Sequence, residues 1–182
     1  MNPATPSDDV TWAAAQPRRF ASFGDAYRTA LEEELSGAAF FAACARTRQD
    51  PRHADKLRLL EAVEVKTAEA LQPGARELGL TLRDAATLQG EGVADAAPLA
   101  GLPWAAMMDR MVTGYPAYVA EFAALLAASP AALRPVVALL HDHEVAIIDF
   151  ARDEAQGGDG TAHLVHYLNR ADAVLHRLQG GV

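Results

Sequence analysis

Apolar residues recur along nearly the whole chain at intervals of three and four, and no stretch alternates convincingly at two, so the pattern predicts helices throughout. The first helix is expected from about Ser22 to Thr47, with Phe23, Tyr27, Ala30, Phe41 and Ala45 on one face. Asp50-Pro51 is a start signal, an N-cap followed by proline in the first turn, and the second helix should run to about Leu78 with Gly79 as its stop. Glycine, proline and short apolar pieces then fill residues 80–103, where one short helix is expected near Leu82–Leu88. A connection this long in a compact domain is expected to cross from one end of a bundle to the other.

The third helix should start at Pro103-Trp104 and end by Ala128, kinked at Pro116. Ser129-Pro130 is read as the cap of a fourth helix reaching about Gln156, where Gly157, Gly158 and Gly160 break the pattern. A short fifth helix, about Thr161 to Leu178, would pack Leu164, Val165, Leu168, Val174 and Leu175 against the rest. The expected organisation is a flexible tail over residues 1–19 and one helical domain over 20–182.

Three glutamates interrupt this otherwise ordinary patterning. Glu34 falls among Tyr27, Ala30, Ala38 and Phe41; Glu64 among Leu57, Leu60, Thr67, Ala68 and Leu71; Glu144 among Val137, Leu140, Ile147, Ile148 and Ala151. All three sit in mid-stripe, and a buried carboxylate must be paired, protonated or bound to a cation. His141 and His143 lie beside Glu144 and could supply a nitrogen ligand or orient a carboxylate. His163 and His166 share a face of the fifth helix and read as a solvent-facing pair.

Composition narrows the field. The 182 residues suit one domain, and 51% hydrophobic content argues against disorder. A net charge of −8, with only Lys56 and Lys66 as lysines, lacks the basic stripe that nucleic acid requires. Cys44 is the only cysteine, so it forms no intrachain disulfide and reads as a small core residue. No secretion signal is evident and no uninterrupted apolar run is long enough for a bilayer, so the expectation is a cytoplasmic protein without membrane contact. No nucleophile pair, P-loop or dinucleotide glycine motif is present.

Residues 20–156 resemble the ferritin-like superfamily. The first helix is similar to its pattern of a glutamate, Glu34, followed by an aromatic, Phe41, two turns on; Glu64 and Glu144 fall where the family carries the glutamates of its Glu-x-x-His motifs. The resemblance implies an all-α four-helix bundle with a long crossover between helices 2 and 3, plus the short C-terminal helix. It also implies inward carboxylates around Fe or Mn. Thr67 and Ile147 stand where those motifs carry histidine, and the third helix offers only Glu121, towards its edge, so a full di-iron ligand set is not expected. The reading is a ferritin-like bundle whose Glu34, Glu64 and Glu144, with His141 or His143 (or Glu61, one turn before Glu64), hold one metal ion, with redox activity a further expectation. The alternative is a metal-free small-ligand or protein-interaction module with a vestigial carboxylate site. A homodimer face on the alanine-rich helices is a further expectation.

Overall fold

The structure is a computed structural model, and it describes residues 17–180. Seven α-helices run in the order α1 (Phe23–Thr47), α2 (Pro51–Glu77), α3 (Ala85–Ala96), α4 (Trp104–Gly114), α5 (Pro116–Ala128), α6 (Arg134–Ala155) and α7 (Thr161–Gly180). Because α4 and α5 are one rod broken at Tyr115, the result is an all-α bundle of six rods, with no strand among the described residues. The expected tail lies mostly outside those residues.

Local chemistry sets the ends. Ser22 Oγ accepts from the Asp25 N–H at the start of α1, and the Asp50 carboxylate accepts from the Arg52 N–H at the start of α2. Only residues 48–50 separate α1 from α2, so the two form an antiparallel hairpin. Gly79, at φ +66°, closes α2 in the left-handed conformation that glycine adopts without steric cost.

The hairpin packs through α2 against α6 and α7, and α6 in turn packs against α4, α5 and α7. The centre is dry: Leu57, Leu60, Leu71, Met108, Leu139, Leu140, Ile147 and Phe150 have no exposed surface. One buried ion pair locks an end, where Glu154 receives Lys56 Nζ, Trp104 Nε1 and the Gly160 N–H.

Several expectations need correction. The crossover helix is not confined to Leu82–Leu88; α3 continues through Gly90 and Gly92 to Ala96 and packs on α1. Its contact with α1 overrides glycine's poor helix propensity, for a Cβ at Gly92 would lie 2.1 Å from Ser36 O. Ser129 does not cap α6. Its hydroxyl donates back to Leu125 O at 2.9 Å, and α6 begins only at Arg134. Val165, expected in the core, is 45% exposed. Glu121 is not at an edge but buried, clamped by the Arg18 guanidinium at 2.6 Å while the same group holds Glu33. Within the 25-residue rod Trp104–Ala128 an 18-residue window reaches a mean hydropathy of 1.3, but Asp109, Arg110 and Glu121 along the rod interrupt its apolar run.

Candidate metal centre

Three rods bring the site together. Glu34 comes from the middle of α1, Glu64 from the middle of α2, and His143 and Glu144 from the middle of α6. All four are buried. One donor atom each from Glu34, Glu64 and His143 falls within a sphere where every pair is at most 4.8 Å apart. That is the spacing at which a single cation could touch all three, and oxygen with imidazole nitrogen is a donor set suited to iron or manganese.

His143 decides how the cluster is wired. Its Nδ1 lies against Leu140 O, one turn back on α6, and since a carbonyl only accepts, Nδ1 must carry the proton. Burial pushes the imidazole pKa down to about 4, so the ring is neutral. Nε2 therefore presents a bare lone pair, 3.3 Å from Glu34 Oε1 and 3.7 Å from Glu144 Oε1. Lone pair against lone pair is repulsive unless a proton or a cation lies between them. Nε2, Glu34 Oε2 and Glu144 Oε2 are all buried without a hydrogen-bond partner among the described residues.

The carboxyl groups respond in the same sense. Desolvation, and then the negative charges of Glu64 and Glu144, raise the Glu34 pKa well above the usual carboxylate range. Desolvation also raises Glu64, to about 8, with the neighbouring Glu34 carboxyl working the other way. Glu144 is raised by desolvation and by Glu64. Without a cation the cluster is thus largely protonated at neutral pH; with one, those protons are displaced.

Of the residues expected in the site, the structure brings Glu34, Glu64 and His143 together and places Glu144 beside them. His141 points elsewhere, its Nδ1 3.1 Å from Asp142 Oδ1, which is part of a surface pair with Arg170. His163 meets Asp153 at 2.9 Å and His166 is exposed, both remote from the cluster. Thr67 donates to Val63 O and receives the Tyr167 hydroxyl at 2.5 Å, a buried polar pair that joins α2 to α7.

Some site residues carried no obvious sequence signal. Gly37, one turn after Glu34, leaves the space that the Glu64 carboxylate occupies; a Cβ there would lie 2.8 Å from Glu64 Oε2. A glycine inside an alanine-rich helix is the one hint, since alanine would favour the helix by ~1 kcal/mol. A cavity of about 230 Å³ opens beside the cluster, between α1 and the α4–α5 break, and Tyr115 and Tyr118 line it. Comparison with protein-family models, with curated proteins and with solved structures found no match. The geometry alone therefore describes an all-helical protein with a buried Glu34–Glu64–His143 cluster of metal-binding composition.

Proposed function

We propose that this chain is a ferritin-like bundle that holds one transition-metal ion, iron or manganese, between Glu34, Glu64 and His143, and that its activity is redox chemistry at that ion. The observation that carries the reading is His143 Nε2: a buried lone pair with no donor, aimed at a carboxylate oxygen 3.3 Å away. A bound cation would neutralise the two carboxylates, take up the lone pair and remove the desolvation penalty that otherwise falls on each group. Such an ion would supply a redox couple and a Lewis acid. The protein's part is to fix the donors, exclude water and leave one side open to the cavity.

The superfamily assignment is part of the same proposal. It draws support from the α1–α2 hairpin, the α3-bearing crossover and the convergence of acidic groups from separate rods, and the α7 packing between α2 and α6 goes beyond a plain four-helix plan. Elemental analysis of protein purified without chelator is the direct test. About one iron or manganese per chain is expected, and His143→Ala should lower that content at least tenfold, since loss of metal-site residues costs on that order. Metal-free protein that also shows no thermal shift with Fe(II) or Mn(II) would sink the proposal.

One feature favours a second reading, a vestigial metal-free core. Raised pKa values at Glu34 and Glu144 allow a proton, rather than an ion, to bridge a carboxyl oxygen and His143 Nε2. In that case His143→Gln would be tolerated and no metal would be retained.

A further inference from the structure

The cavity of about 230 Å³ has a lining that the metal site explains only in part: Glu34 and Glu64 belong to the triad, whereas Glu33, Asp95 and Glu144 do not. Five acidic residues and no Lys, Arg or His line it, together with the rings of Phe40, Phe41, Tyr115, Tyr118 and Phe122. Glu144 belongs to this wall, is 94% buried by its 6% relative exposure, and has an Oε2 with no partner among the described residues. It is not one of the three groups whose donor atoms converge. Farther out, Asp95 is exposed and forms no ion pair or hydrogen bond among the described residues, whereas Glu33 is already neutralised by Arg18.

An unpaired buried carboxylate oxygen needs a donor, and an acidic lining repels anions. Aromatic faces attract cations through their quadrupoles, most strongly where water is excluded. The space lies below the ~300–1,000 Å³ typical of drug-sized ligands, so the occupant is compact. The donor atoms that converge at metal-binding spacing are those of Glu34, Glu64 and His143, so Glu144 is left for a cation of another kind. A quaternary ammonium has the charge but no N–H for Oε2, and an alcohol has the donor but no charge. A primary ammonium has both.

We propose that the cavity binds a short-chain primary amine, its ammonium on Glu144 and its carbon chain against Tyr115, Tyr118 and Phe122. Its anchor is outside the converging triad, although Glu34 and Glu64 of that triad line the same space, so amine and ion would be neighbours.

The test is calorimetric titration of the full chain, freed of metal by chelator, with butylamine, tetramethylammonium, butanol and butyrate. Butylamine should bind at millimolar or lower concentration, the alcohol and the quaternary ion about tenfold or more weaker, and butyrate not at all. Glu144→Gln should weaken butylamine about tenfold or more, and Tyr118→Leu severalfold, with the ligand series on the unaltered protein standing even if one variant fails to fold. Repeating the titration with Mn(II) added separates the two proposals: amine binding with no metal uptake overturns only the metal reading. Butanol binding as tightly as butylamine, no heat with butylamine, or folded Glu144→Gln binding it unchanged would each overturn the amine site.

Discussion

Replacing Glu64 with glutamine should have opposite effects on the metal-free and metal-loaded protein. Glu64 titrates near the model-peptide value of 4.5 when unfolded and at about 8 in the folded chain, because burial disfavours its charged form. Between those two values the native state holds a proton that the unfolded state has lost. Stability is therefore full below about pH 4.5, falls as pH rises, and levels off above pH 8. The slope is about 1.4 kcal/mol per pH unit, and across the window the loss is on the order of 5 kcal/mol. Glutamine keeps the shape and one acceptor without ionising, so metal-free Glu64→Gln should lose this component of the slope. Glu34, relieved of a negative neighbour, moves in the same direction. At pH 8 to 9 the metal-free variant should be more stable than the parent by a few kcal/mol, while near pH 5 it should be equal or weaker by about one hydrogen bond, ~1 kcal/mol. With Mn(II) at about a hundred times its Kd the parent should gain ~2.7 kcal/mol, and the variant, short of an anionic donor, should gain little. Urea unfolding at pH 5, 7 and 9, with chelator and with Mn(II), reads both effects. A metal-free variant that follows the parent's pH profile would refute the reasoning, since Glu64 would then not be held in a dry site.

Two glycines give simpler predictions. Gly37→Ala should raise helix stability by ~0.5–1 kcal/mol yet weaken metal retention, because the new methyl occupies the place of Glu64 Oε2; thermal melts beside metal analysis would show whether the two move apart. Gly92→Ala should destabilise by about 1–3 kcal/mol, since its Cβ meets the backbone of α1 and neither helix has slack. Faster amide exchange confined to α3 would locate the damage, and unaltered exchange and stability would contradict the close contact.

Helix number, the α1–α2 hairpin and the core stripes are legible in the sequence because each depends on local periodicity and caps. Glu34, Glu64 and Glu144 stand out for the same reason, as polar groups in mid-stripe among buried neighbours. The choice between His141 and His143 is not legible at that level. Two residues apart on a helix, they point some 200° from one another, and only the packing of α7, which presents Arg170 to Asp142, shows which side is solvent. The extent of α3 and the role of Gly37 are hidden because they depend on what another helix brings to the glycine. Ser129 misleads because a hydroxyl at a helix junction can bond backwards as well as forwards, and here it bonds to Leu125 O.

The interruption at Tyr115 has a mechanical consequence. Pro116 has no N–H to give to Val112 O, so the backbone ladder is already open where α4 meets α5, and bending there sacrifices no hydrogen bond that a continuous helix would have had. Buried Met107, Met108 and Met111 seat α4, whereas α5 is held near its middle by Glu121 on Arg18 and by buried Phe122 and Leu125. The joint between these two anchorages carries Tyr115, and Tyr118 follows one turn later. The wall of the chamber is thus a jointed rod rather than a continuous one, and its two halves are fastened to different neighbours.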